Sequence, residues 1–130
     1  MFLLDTNTLI YFFKGKGRVA ERLLATPPSE TAVSAISVYE LDLGIAKSDS
    51  PDKRRAQVAT FLGYAQLLPF GRAEAAASAA VRAALEAKGT PIGPLDTLLA
   101  GTARAHGAAL VTHNVREFRR VHGLQVVDWY

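Results

Sequence analysis

Asp5, Glu40, Asp96 and Asn114 share one setting: each closely follows a strand-like run and stands at the start of a helix-like one. The preceding runs are Met1-Phe2-Leu3-Leu4, Thr31-Ala32-Val33-Ser34, Pro91-Ile92-Gly93-Pro94 and Ala109-Leu110-Val111-Thr112. In a parallel α/β sheet the carboxyl ends of the strands open into a common crevice, so residues far apart in sequence can meet there. Three carboxylates at such an edge would make an all-oxygen site for a hard divalent cation.

Each of these residues also has an ordinary structural use. Ser37-x-x-Glu40 matches a capping box, with Glu40 reaching back to the Ser37 amide. Gly93-Pro94 fits the cap and first position of a helix, which makes Asp96 a third-position acid favoured by the helix dipole. Asn114-x-x-Glu117 is a second possible capping box, and Asp5 could cap the first helix. Two considerations favour a site. Three ionised carboxylates about 5 Å apart repel by roughly 3 kcal/mol per pair at an effective dielectric near 20. The three pairs together cost on the order of 10 kcal/mol, comparable to the whole stability of a domain. A fold that gathers them needs a divalent cation, raised pKa values, or an arginine from a partner. Second, Asp5-Thr6-Asn7 crowds more polar groups into one turn than a cap needs.

The elements that would position these groups are legible from pattern. Strands are expected at 1–5, 30–34, 67–70, 108–111 and 124–127. Helices are expected at 6–13, 18–25, 38–47, 53–66, 73–87, 94–105 and 115–120. Pro27-Pro28 marks a turn, and residues 48–52 a Ser/Asp/Pro loop. Glu74, Ser78, Arg82 and Glu86 read as a polar stripe on an alanine-rich helix that Gly89 ends. Strands alternating with helices imply an α/β fold: a mostly parallel central sheet flanked by helices, in a single domain over residues 1–130.

Composition narrows the function classes. The chain has 130 residues, 49% of them hydrophobic, and no cysteine, which removes disulfides, thiolate metal sites and cysteine nucleophiles. No apolar run approaches the ~18 residues of a membrane span, and no signal peptide is evident, so a cytoplasmic protein without a membrane partner is expected. Fifteen Lys+Arg stand against twelve Asp+Glu. The basic residues cluster at Lys14-Lys16-Arg18, Lys53-Arg54-Arg55 and Arg116-Arg119-Arg120, a pattern that suits a polyanion surface.

Four motifs in order make the sequence recognisable. They are Leu4-Asp5-Thr6-Asn7; Ser37-Val38-Tyr39-Glu40-Leu41 with Gly44; Ile92-Gly93-Pro94-Leu95-Asp96 with Leu99-Ala100; and Leu110-Val111-Thr112-His113-Asn114 with Phe118, Gly123-Leu124 and Asp128-Trp129. Across essentially its whole length the chain resembles the PIN-domain ribonucleases, specifically the VapC-type toxins of bacterial toxin–antitoxin pairs. The resemblance implies a PIN-like fold and an endoribonuclease dependent on Mg²⁺ or Mn²⁺. Asp5, Glu40 and Asp96 fall on the family's acidic metal-site positions and are the expected catalytic and metal-binding residues. Asn114 stands where many PIN domains carry a fourth acid, and an amide is a poorer ligand for a hard cation. The implied arrangement is one metal held by Asp5 and Asp96, with Glu40 ligating through water or positioning it. Asn7, Thr112 and Asn114 would orient carboxylates, water or phosphate.

The resemblance also implies an RNA substrate, with tRNA the first expectation, a cognate VapB-type antitoxin that neutralises the toxin, and a homodimer. The apolar row Leu9-Ile10-Tyr11-Phe12-Phe13 is a candidate docking surface for the antitoxin. None of the three histidines suits metal-free cleavage: His106 and His122 read as surface or cap residues, and His113 lies where it could touch RNA. Two other classes compete. One is a metal-dependent phosphatase built on Asp5-Thr6-Asn7-Thr8, although such a loop usually has a second Asp where Asn7 stands. The other is a non-catalytic RNA- or protein-binding module whose acids are only helix caps.

Overall fold

The computed structural model describes residues 1–130. The chain runs β1 (Phe2–Leu4), α1 (Thr6–Lys14), α2 (Val19–Leu24), a 3₁₀ turn (Pro28–Glu30), β2 (Thr31–Ser34), α3 (Ala35–Ala46) and α4 (Asp52–Leu62). It continues through β3 (Gln66–Leu68), α5 (Arg72–Ala87), α6 (Pro94–His106), β4 (Ala109–Val111), α7 (Val115–Phe118) and β5 (Val126–Val127). The strands form one sheet in the order β3-β2-β1-β4-β5, with every neighbouring pair parallel.

The central strands β1 (Phe2-Leu3-Leu4) and β4 (Ala109-Leu110-Val111) are wholly apolar, as a sheet covered on both faces requires, while β2 carries Thr31 and Ser34 at its ends and the edge strand β3 opens on Gln66. Leu4, Val33 and Val111 face one way, into a core shared with Leu9, Leu23, Leu41, Val58, Phe61 and Trp129. Leu3, Ala32 and Leu110 face the other way, against Val81, Leu85, Ala100, Ala103 and Phe118. Helices α1–α4 therefore cover one face and α5–α7 the other. The chain winds outward from β1 through β2 to β3, then crosses back to place β4 on the other side of β1. That reversal sets the switch point between β1 and β4, where a parallel sheet opens its ligand crevice. Leu4 pairs with both Val33 and Val111, so Asp5, Ser34 and Thr112 leave the sheet at one level.

Several boundaries differ from the sequence expectation, and the reasons are local. Helix α3 begins at Ala35 rather than 38, because the Ser34 hydroxyl, not Ser37, accepts the Ile36 N–H at 2.8 Å. Ser37 is buried within the helix, and Glu40 makes no capping box. The helix expected at 53–66 spans Asp52–Leu62, and the next strand is Gln66–Leu68. Pro91–Gly93 is a loop, so Asp96 follows no strand. Asn114 opens α7 without a capping bond from its side chain, and its amide donates to Glu117 instead.

The expected polar stripe on α5 divides in two. Arg82 and Glu86 pair in solvent at 3.6 Å, whereas Glu74 and Ser78 are buried against α6. Glu74 accepts the Gly71 N–H at 2.7 Å and meets His106 at 2.9 Å. The close approach depends on Gly101: a Cβ there would fall 2.0 Å from the Ser78 Oγ and 2.5 Å from its Cα.

Candidate active site

Asp5 leaves β1 with its backbone N–H bonded to the Val111 carbonyl at 3.0 Å, which fixes it at the junction of the two central strands. Its Oδ1 caps α1 by accepting the Thr8 N–H at 2.8 Å. The residue is only 5% exposed. Burial pushes its carboxyl above the ordinary value; hydrogen bonds from Thr112 and Thr8 oppose that rise, and the charge of Asp128 adds to it. Capping and site membership are thus compatible, since a carboxylate has acceptor capacity beyond one cap bond.

Glu40 is the sixth residue of α3 and reaches the same crevice from within the helix. The Thr6 hydroxyl donates to its Oε1 at 2.7 Å. Thr6 has one proton to give, so the 3.0 Å contact with buried Ser37 is a donation from Ser37 into Thr6. Ser37, Thr6 and Glu40 form a relay that fixes the Glu40 carboxylate.

Asp96 sits at the third position of α6, with Gly93 as cap and Pro94 first, as the sequence suggested. A helix dipole alone would favour its charge. Its pKa is instead raised from 3.8 to about 6, by partial burial first and then by the charges of Glu117, Asp5 and Glu40. No side-chain hydrogen bond or ion pair reaches the Asp96 carboxylate. The fold therefore brings the other two expected acids, Asp5 and Glu40, close enough to Asp96 for their charge to act on it.

Glu117 is the member that sequence reasoning missed. It was read only as the far end of a capping box, yet it is the charge that acts most strongly on Asp96. Asn114 holds it: the amide Nδ2 donates to Glu117 Oε2 at 2.8 Å, while the Asn114 backbone N–H donates to Thr112 Oγ1 at 3.0 Å. Thr112 thereby links Asn114 to Asp5. Asn7 is exposed on the first turn of α1 and makes no side-chain hydrogen bond. His113 lies at the rim, its Nδ1 2.9 Å from Asp128 Oδ2 and its ring stacked on Tyr130 at 4.2 Å.

No three of these acids close into a ready-made cage. Their donors are all carboxylate oxygens, with no thiolate or imidazole among them, and they carry uncompensated negative charge. That chemistry fits a hard divalent cation that keeps much of its water. Elsewhere, Phe12, Phe13, Leu23, Leu24, Phe61 and Tyr64 line an apolar groove of about 450 Å³ between α1, α2 and α4. The row 9–13 accordingly splits: Leu9 is buried in the core, and Phe12 and Phe13 are half-buried along the groove. No helix is long and apolar enough to cross a membrane.

Known proteins share this fold from end to end. Residues 2–124 match the PIN domain family. The tRNA(fMet)-specific endonuclease VapC of Salmonella typhimurium is 37% identical over 128 residues, spanning 98% of this chain and 97% of that one. A chain in the crystal structure of DNA-bound VapBC from the same organism superposes with a TM-score of 0.93, covering 99% of this chain and 98% of its own. One in VapBC2 from Rickettsia felis, bound to a promoter DNA fragment, gives 0.92 at 30% identity, over 99% and 98% of the two chains. With its fold and its full-length similarity in agreement, this chain belongs to the PIN-domain family, among the VapC ribonucleases.

Proposed function

We propose that this protein is a divalent-metal-dependent endoribonuclease toxin that hydrolyses a phosphodiester bond in structured RNA. The observation that carries the reading is the unpaired Asp96 carboxylate, pushed up to about 6 by burial and by three neighbouring acids in the switch-point crevice. Such a charge arrangement is costly unless a cation joins it. Initiator tRNA is the first substrate to test, because a full-length relative is named a tRNA(fMet)-specific endonuclease.

Asp5 and Asp96 would hold Mg²⁺ or Mn²⁺, with Glu40 ligating through water. When bound, the cation supplies a water of lowered pKa and offsets charge on the scissile phosphate. Glu40, fixed by Thr6 and Ser37, orients the attacking water and is placed to accept its proton. Thr112 holds Asp5, and Asn114 holds Glu117, at the opposite wall. Asn7 is exposed beside the crevice and is assigned to substrate positioning.

A VapB-type antitoxin is the proposed partner, since solved relatives are VapBC assemblies. The apolar groove is its proposed seat, with an antitoxin arginine supplying the missing counter-charge at the acids. A homodimer and a cytoplasmic location complete the proposal. A phosphatase that uses Asp5 as nucleophile is disfavoured, because Asn7 stands where such a loop usually carries its second Asp.

The deciding experiment incubates purified protein with initiator tRNA in Mg²⁺, Mn²⁺ or EDTA, beside Asp96→Asn. Discrete cleavage that requires metal and Asp96 supports the assignment. A folded Asp96→Asn variant that behaves as wild type in cleavage and metal binding would leave a binding module as the better reading.

A further inference from the structure

Two basic clusters that are separate in sequence become one pocket in the fold. Lys14 and Lys16, past the end of α1, face Lys53 and Arg54 of α4 across a cavity of about 580 Å³, with Ser48 and Ser50 on its wall. A second cavity, of about 240 Å³, is lined by Lys14, Ser48 and Arg54 together with Glu40. The two cavities share Lys14, Ser48 and Arg54, so the basic pocket borders Glu40 of the candidate site. The third cluster, at Arg116, Arg119 and Arg120, takes no part in it.

The four cations lack anionic partners. The arginines that do form ion pairs with side chains are Arg18, Arg55 and Arg82. Arg54 is the most constrained of the four: its guanidinium lies 5.0 Å above the Phe13 ring, and its Nη1 is buried without an acceptor. A buried, unpaired guanidinium nitrogen is costly and calls for an oxygen ligand. The crevice itself repels a polyanion, so an RNA strand that reaches it needs a cationic anchor beside it.

We infer that Lys14, Lys16, Lys53 and Arg54 form a backbone-phosphate site that holds the RNA strand next to the scissile bond. The inference rests on the ribonuclease reading for its substrate class and adds the residues that position it. The cavity exceeds the volume of one phosphate, so it takes a run of backbone, read by charge and hydroxyls rather than by base identity. Binding here is sequence-independent and salt-dependent.

The test separates binding from cleavage. Affinity for fluorescein-labelled initiator tRNA is measured by anisotropy in EDTA across a salt series, for wild type, Lys14→Ala/Lys53→Ala, and the charge-matched control Lys88→Ala/Arg104→Ala on the opposite face. Each lost phosphate contact removes about 0.7–0.9 from the slope of log affinity against log salt. The pocket variant is expected to bind roughly tenfold more weakly at low salt, with a slope shallower by about 1.5, while the control stays at wild type. Equal effects from pocket and control, or none from the pocket, would overturn the inference. So would an unchanged RNA affinity accompanied by weakened antitoxin binding, which would give the pocket to an acidic segment of that partner. Metal-dependent cleavage by the wild type is scored separately. RNA binding that depends on the pocket without any cleavage keeps this site and sinks the nuclease reading, and cleavage indifferent to the pocket does the reverse.

Discussion

Replacing Asp96 with Asn removes the most electrostatically burdened charge in the crevice and changes little in shape. In the unfolded chain this carboxyl ionises near its ordinary 3.8; in the folded, metal-free protein it ionises near 6. Below about pH 4 it is protonated in both states and costs nothing. Between about pH 4 and 6 the folded state holds the proton that the unfolded state has lost, so stability falls as pH rises; above 6 the whole penalty is present. The displacement from 3.8 to about 6 corresponds to about 3 kcal/mol at about 1.4 kcal/mol per decade. Solvent screening of this half-exposed carboxylate reduces the figure to about 1 kcal/mol. No hydrogen bond is lost, and the forfeited helix-dipole term, about 0.3–1 kcal/mol, partly offsets the gain. In EDTA at pH 7.5, Asp96→Asn should therefore melt up to about 3 °C above wild type, and the advantage should vanish by pH 4. In Mg²⁺ the order should close or reverse, because only wild type gains the full linkage to the cation. Thermal melts across pH, with and without metal, decide it. A variant less stable than wild type at pH 7.5 in EDTA, or one with the same advantage at pH 4, refutes the account of these acids as mutually strained.

Three other perturbations probe different links. Thr6→Val removes the donor that fixes Glu40 and should lower kcat about tenfold with KM little changed, read by single-turnover cleavage. Gly101→Ala places a methyl against the backbone of α5 and should cost more than about 2 kcal/mol in denaturant melts; a neutral result would show that α5 and α6 are less tightly packed than described. Leu24→Glu puts a charge into the apolar groove from a residue that is already 77% exposed. It should leave cleavage and stability intact while weakening capture of the antitoxin at least tenfold, measured by calorimetry.

The fold was legible because its central strands are apolar runs and several of its helices end at glycines. Gly15 and Gly107 are both left-handed and both stop a helix where the sequence places the stop. Asp5 and Asp96 each stand at a helix start that pattern alone can place, although Asp96 follows a loop rather than the expected strand. Glu40 lies deeper in its helix than the pattern places it: Ser34 and Ser37 are equally good caps in sequence, and only the β2 register shows that Ser34 is the one at the sheet edge. Ser78 and Glu74 misled because small and polar side chains at spacing four describe a solvent stripe as well as a close helix contact; the partner that decides, Gly101, lies on another helix. Merging Lys14 with Lys53 and Arg54 needed the path of α4 across the end of α1, which no local pattern encodes.

Glu117 gives the sharpest separation between a charge that merely lies near the crevice and one that belongs to it. It is the charged neighbour that most raises Asp96, and Asn114 holds its carboxylate by a single hydrogen bond from the amide Nδ2. Glu117→Gln keeps an acceptor for that amide and deletes only the charge. The Asp96 pKa should then move down toward its ordinary value, so the ionised folded state is less disfavoured and the metal-free protein is more stable at pH 7.5. The gain should be about 0.5 kcal/mol, a part of the Asp96 penalty. In the Asp96→Asn background there is no carboxylate left to repel, and the gain should disappear; the difference across the double-mutant cycle is the coupling itself. If Glu117→Gln stabilises both backgrounds equally, its charge acts on the whole protein rather than on this site. If the coupling is present, the position opposite Asp96 is acidic after all. The amide at 114 then orients that acid instead of replacing it, and the crevice carries four negative charges for a cation to answer.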